Sequence, residues 1–492
     1  MDNYFILKQN MQKIFGSLIV ALLILMFACT KEIFITDSGA RLSFSADTIK
    51  FDTVFSTIGT TTARLVIHNP YKQTIRISQI YLAKGQSSNY HININGYQTN
   101  QLTNVDLQPK DSLYIFVQLT VSTIGGNNPL VVKDSIVFIT NNNLQHVELY
   151  AVGQDAHLLN NAHIKTQTWT EGKPYLIYNN VVIDTNQILT IAEGTKVYFH
   201  RKAKLTVYGS LRIDGSISKR VLLSGDRLED LYKDVPGQWE GITFCQSSSN
   251  NYANNATIKN AITGINFDTQ SFGAQTDLKL HNTAIENMTM WGIYAINSNI
   301  FATNCLITNC GQYSFAAQAG GQYNFYQTTF ANYFGGWSST TRITPSILLS
   351  NTFSSDFGVI TNDLTVAYFG NCIVWGNQPD EIGVTKDAGA QLNFMFDNSL
   401  LQIQNPSNMN IDTTNHYQFY KCLYGSDQGK LFLNIDKNDF RLDTVSSMAK
   451  DKGSVLIVNK YPSLLYTDFS GQSRLLDGMP DLGAYELKKK SK

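Results

Sequence analysis

A short pattern, Asn-x-x-apolar-x-Asn, recurs through the second half of this chain and limits what it can fold into more than any other feature. Asn255-Ala256-Thr257-Ile258-Lys259-Asn260 aligns with Asn282-Thr283-Ala284-Ile285-Glu286-Asn287 and with Asn304-Cys305-Leu306-Ile307-Thr308-Asn309. Gln327-Thr328-Thr329-Phe330-Ala331-Asn332, Asn371-Cys372-Ile373-Val374-Trp375-Gly376-Asn377 and Asn398-Ser399-Leu400-Leu401-Gln402 continue the series. The starts stand 27, 22, 23, 44 and 27 residues apart. An interval of 44 residues reads as two coils, with the intervening copy expected near Ser350–Ser355.

Each column has one chemistry. Ile258, Ile285, Ile307, Phe330, Val374 and Leu401 form an apolar file, while Ala256, Thr283, Cys305, Thr328, Cys372 and Ser399 form a file of small residues. Side chains alternate along a strand, so both files point to one side, the core. The closing Asn sits where the chain must turn, and Asn tolerates the left-handed backbone of a turn. A second strand repeats as Gly241-Ile242, Gly264-Ile265 and Gly292-Ile293. Coils of this length, with more than one strand and no helical periodicity, describe a parallel β-helix. About twelve coils at about 4.8 Å each would build a rod of about 60 Å. Cys305 and Cys372 then lie about three coils apart, too far for a disulfide, and the five cysteines after Cys29 read as small buried residues.

Both ends of this region resemble a known family. Leu189 to Phe199 and Leu205 to Gly215 are similar to the opening coils of bacterial right-handed parallel β-helix (pectate-lyase-like) proteins. Asp468 through Arg474, and Asp477-Gly478 through Asp481, Gly483, Tyr485 and Glu486, resemble their terminal segment, expected to cap the last coil. The resemblance implies a fold for residues 165–487, and fold by itself does not imply lyase activity.

Residues 41–156 alternate differently. Arg64–His68, Thr74–Ile80, Ser112–Val117 and Asp134–Ile139 read as strands separated by turns such as Asn69-Pro70. About seven short strands in about 115 residues predict an immunoglobulin-like sandwich. The stretch resembles the Hydin-type modules of bacterial surface proteins, which implies a spacer. The fold class expected for the whole is therefore all-β: an immunoglobulin-like β-sandwich followed by a right-handed parallel β-helix.

The start of the chain sets the expected compartment. Lys8 and Lys13 precede an apolar run from Phe15 to Phe27, which is short for a membrane span. Met26-Phe27-Ala28-Cys29 resembles the lipobox of bacterial lipoproteins. The resemblance implies a signal peptide over residues 1–28, acylation of Cys29, a tether over 29–40, and an outer-membrane lipoprotein facing periplasm or surface. Met11 is an alternative start. Residues 488–492 read as a solvated basic tail.

Charged residues make up 15% and the net charge is zero, so the basic footprint of a nucleic-acid binder is missing. No His-x-x-x-His or other metal-ligand spacing occurs in the sequence, and no metal site is expected. The Asn-Thr-Asp, Asp-Asp, Gly-His-Gly and Arg-Ile-Lys motifs of galacturonan hydrolases do not occur either. The densest acidic stretch, Asp226 to Asp234, reads as a solvated loop or as a calcium or sugar site, with Asp226, Glu229, Asp230 and Arg227 as candidate catalytic residues. Trp375, at an outward position, and Trp337, Tyr333 and Tyr323 are candidates for stacking on sugar rings. Two functions are expected from these features. One is a monomeric, non-catalytic envelope protein that binds polysaccharide or another surface protein. The other is a divergent polysaccharide lyase or glycoside hydrolase.

Overall fold

The computed structural model describes residues 33–487, apart from 57, 124, 127–128, 268–276, 336–341, 357, 410, 426–430 and 444–446. Cys29, Trp337 and the tail 488–492 lie outside the described residues. The protein is all-β and divides into two compact units, Met1–Gln154 and Asp155–Lys492. Among the described residues no helix is long and apolar enough to cross a membrane.

The first unit holds two five-stranded sheets. Ser112–Leu119 pairs antiparallel with Ala63–His68 and with Tyr90–Ile94 in one sheet. Leu130–Thr140 pairs antiparallel with Asn143–Gln154 and with Ile75–Leu82 in the other. Strict alternation puts Leu113, Ile115, Val117 and Leu119 into the core beside Ile75, Ile77 and Ile80. The Asn69-Pro70 turn is fixed from within, because buried Asn69 donates its amide to the carbonyls of Gln73, Leu107 and Gln108.

The second unit stacks coils in parallel. One sheet has 11 strands and the other 17, and every pairing described between their neighbours is parallel. The apolar file runs in direct register: Ile258 faces Ile285, Ile285 faces Ile307, Ile307 faces Phe330, Phe330 faces Val374, and Val374 faces Leu401. All six are buried, each contributing about 1.5–3 kcal/mol against exposure. The second repeat is equally continuous, from Ile242 through Ile265 and Ile293 to Phe315, Ile347 and Ile382. The first stacked strand is His157–Leu159, paired with Tyr175–Ile177.

Three expectations are corrected. The interval of 44 residues is one coil, because Phe330 pairs directly with Val374. Thr352–Ser355 folds back antiparallel on Gly358–Thr361 as an inserted hairpin. That segment lacks a buried file member, so nothing draws it into the stack. The file sheet therefore has 11 strands, not twelve. Cys305 and Cys372 lie two coils apart, about 10 Å at the usual strand spacing, still beyond bridging distance. Both are free and buried, and burial pushes both thiols well up.

Left-handed turns fall at the opening residue of every copy as well as at the closing Asn of three. The opening residues Asn255, Asn282, Asn304, Gln327, Asn371 and Asn398 all sit at φ between 46° and 53°. The closing Asn260, Asn287 and Asn309 do so as well, at 65°, 59° and 52°.

The terminal segment does not cap the last coil. Ser454 exchanges hydrogen bonds with the Asn371 side chain at 2.7 and 3.0 Å. Asn304 donates to the carbonyls of Leu464 and Thr467 at 2.9 and 2.8 Å, and the Ala484 N–H donates to Thr329 Oγ1. Farther back, the Arg220 guanidinium lies 4.2 Å from the Phe469 ring. The segment is a strap running back along the flank. Its cause is the outer face beneath it: Ala284, Leu306, Ala331, Ile373, Trp375 and Leu400 are apolar and need cover, which Leu431, Phe432, Phe440, Leu442, Ala449 and Leu482 supply. The core runs on to Phe419 in the last coil, and the last strands, two and three residues long, leave little edge to pair.

Candidate functional site

The acidic stretch forms a loop between strands Val221–Gly225 and Gly241–Phe244. Its carboxylates are largely engaged within it. Asp226 accepts from His200 Nδ1 at 2.7 Å, and burial raises its carboxyl above the ordinary range. Glu229 pairs with Arg227 at 2.8 Å, and the Arg227 guanidinium covers the Tyr232 ring at 3.7 Å. Asp230 opens a single 3-10 turn and is exposed. Gln238 ties the loop down through the carbonyls of Tyr232 and Val235. Trp239 stacks on Phe199 at 3.9 Å and donates to the Lys259 carbonyl. Asp226, Glu229 and Arg227 are thus each paired with a side chain in or beside the loop. Among the described residues no three His, Cys, Asp or Glu side chains group as a metal site.

Of the aromatic candidates, Tyr323 and Trp375 are buried. Tyr323 is fully buried, its hydroxyl donating to the Gly320 carbonyl, because strand alternation turns it inward with Phe325. Trp375 does face outward from its coil, but the strap covers it to 2% exposure, so no sugar ring can reach it. Tyr333 is half-buried, lying stacked on Phe440 and edge-on to Phe432. Trp337 falls outside the described residues.

One cavity of about 380 Å³ brings several of these elements together, within the range of about 300–1,000 Å³ usual for small-ligand pockets. The closing Asn287 and Asn309 line it. Asp234 and Pro236 come from the far end of the acidic loop, and Tyr333, Phe334, Gly335 and Asn377 from the next two coils. Ile435, Asp436 and Asn438 complete it, from a turn between the paired strands Phe432–Asn434 and Asp439–Leu442. That turn is capped by Asn434, whose side chain accepts from the Lys437 N–H. It is pinned to the ladder where Asn309 donates to Asn438 Oδ1 at 2.6 Å.

The polar groups of the pocket are not all spent on the protein. Asn309 is used twice, also accepting from the Tyr333 N–H. Asn377 donates to the Phe334 carbonyl and accepts from Arg342. Lys259, only 13% exposed, holds Asp234 at 2.6 Å and lies 3.7 Å from Glu286. Asn287 differs: it is 5% exposed and its Nδ2 has no hydrogen-bond partner. A buried, unsatisfied amide costs about 1–3 kcal/mol.

The sequence points to the acidic loop and, in Tyr333, to one residue that lines the pocket. It does not single out Asp234 as a site residue, and in it Asn287 and Asn309 read only as turn formers. Asp436 and Asn438 carried no signal, because nothing local shows that a turn more than a hundred residues later folds back onto them.

The fold and site together define an all-β protein of parallel stacked coils with a polar, amide-rich pocket on its flank. No protein-family model matches the chain, and no curated protein does. Slight similarities link it to solved structures. One is a family 123 glycoside hydrolase from Clostridium perfringens, at 6% identity and TM-score 0.18, covering 25% of this chain and 30% of that one. Another is a protein of unknown function from Porphyromonas gingivalis, at 11% identity and TM-score 0.18, covering 26% and 60%. A third is the ASH/PapD-like domain of human CEP192, at 8% identity and TM-score 0.17, covering 26% and 92%. Similarity of this size speaks to neither fold nor function.

Proposed function

We propose that this chain is an envelope lipoprotein, anchored to the outer membrane through acylated Cys29, whose coiled unit binds glycan as a monomer and without turnover. In this reading the second unit is a right-handed parallel β-helix, supported by its unbroken parallel register and by the strong preference of parallel crossovers for the right hand. The first unit, with its two facing sheets, is an immunoglobulin-like spacer. Acylation follows from Met26-Phe27-Ala28-Cys29. Mass spectrometry of the purified N-terminus is expected to find Cys29 cleaved and acylated, and an unmodified Cys29 would sink the anchor.

The observation that carries the binding reading is the pocket itself, about 380 Å³ and walled by Asn287, Asn309, Asn377 and Asn438. Sugar hydroxyls accept and donate in the directions that amides such as Asn287, Asn309, Asn377 and Asn438 present, and Ile435 and Pro236 offer apolar surface for a ring face. Calorimetry of the full chain against a panel of neutral, amino and uronate oligosaccharides is expected to find a binder. Asn287→Gly removes the amide while tolerating φ of 59°. It is expected to weaken binding about tenfold, the worth of one hydrogen bond in a dry site. New reducing ends or unsaturated products in the same incubations would replace binding by catalysis.

A further inference from the structure

We infer that this pocket selects sugars carrying a free, protonated amine over acetylated and uronate sugars, an inference that rests on the glycan reading above. The pocket lining holds two carboxylates, Asp234 and Asp436, and no Lys, Arg or His. Cations nearby are already committed. Lys259 is shared between Asp234 and the buried Glu286, so one ammonium faces two carboxyl groups. Arg342, behind Asn377, is held at 2.6 Å by Glu381 in a pair with no exposure on either side.

Asp436 is the decisive group. It sits on the exposed turn that completes the pocket, and no ion pair to it forms among the described residues. A ligand ammonium would therefore gain a carboxylate, and a uronate would meet one of like charge. The buried, unpartnered Nδ2 of Asn287 marks the same cavity as a place for a ligand independently of its charge.

The test compares the glucosamine disaccharide, its N,N′-diacetylated form and a galacturonate disaccharide by calorimetry with the full chain. Disaccharides are used because long polycations bind any acidic surface. A carboxylate about 4 Å from the amine is worth roughly five- to tenfold in affinity. The free-amine sugar is expected to bind tighter by that factor than the acetylated one, and the uronate weakest. Asp436→Asn is expected to erase the difference while leaving the melting temperature unchanged. Raising salt is expected to shrink the preference as well. Equal affinities, a tighter uronate, or a preference that survives Asp436→Asn would overturn the inference and leave the glycan reading standing. Failure of all three sugars and of the wider panel to bind would overturn both.

Discussion

Glu381→Ala is expected to destabilise the second unit by about 3–5 kcal/mol, the usual cost of leaving one member of a buried ion pair without its partner. Glu381 and Arg342 are both fully buried. The carboxylate also accepts from the Ser346 N–H and hydroxyl and from the Gln378 N–H. Arg342 in turn reaches the Asn332 carbonyl and Asn377. This one pair therefore ties Arg342 and Ser346 to the coils and sets Asn377 at the pocket. Urea unfolding followed by tryptophan emission isolates the effect, since all five tryptophans lie beyond residue 154. A shift under 1 kcal/mol would mean that the pair is not buried in solution. Glycan affinity is expected to fall in the same variant, because Arg342 holds Asn377 and the Asn332 carbonyl just ahead of the Tyr333 to Gly335 wall.

Ending the chain after Gly425, ahead of Leu431, Phe432, Phe440 and Leu442, is expected to have a still larger effect, the loss of a soluble second unit. The strap covers Ile373, Trp375, Leu400 and their neighbours, and an exposed apolar face of that extent promotes association. Trp375 is expected to become open to acrylamide quenching. If the segment capped only the last coil, Trp375 would stay shielded in the truncated chain.

The strap also carries a pH dependence. Arg474, fully buried, donates to Asn304 Oδ1 and the Ala484 carbonyl and lies 3.6 Å from Glu486. Burial first, then the neighbouring Asp481, pushes the Glu486 carboxyl up to about 8. In the unfolded chain it titrates near about 4.3. Between those values the folded protein keeps a proton that the unfolded chain has released, so stability falls as pH rises, by about 1.4 kcal/mol per unit for one proton. Below the window this loss is absent, and Glu486→Gln is expected to flatten the slope of melting temperature against pH.

How much of this was legible beforehand follows from the range of each interaction. The files Ile258 to Leu401 and Ile242 to Ile293 could be read because a stacked coil repeats one environment, so one residue type recurs in each column. The inserted hairpin at Thr352–Ser355 was miscounted as a coil because interval length alone does not distinguish an insertion from a turn of the stack. The last resemblance, Asp468 to Glu486, was visible as a motif but not as a strap.

The recurring Asn pattern by itself determined that this chain stacks in parallel coils, where each coil turns, and which side chains face the core. Only the tertiary structure decided which outward side chains remain open. Trp375 and Asn287 both lie on strands or turns of that pattern, yet the strap covers one completely and the hairpin turn beside Asp436 encloses a cavity at the other. The physical reason is that inward placement is set by alternation over two or three residues, whereas cover is supplied by segments far along the chain, whose return path no local periodicity encodes.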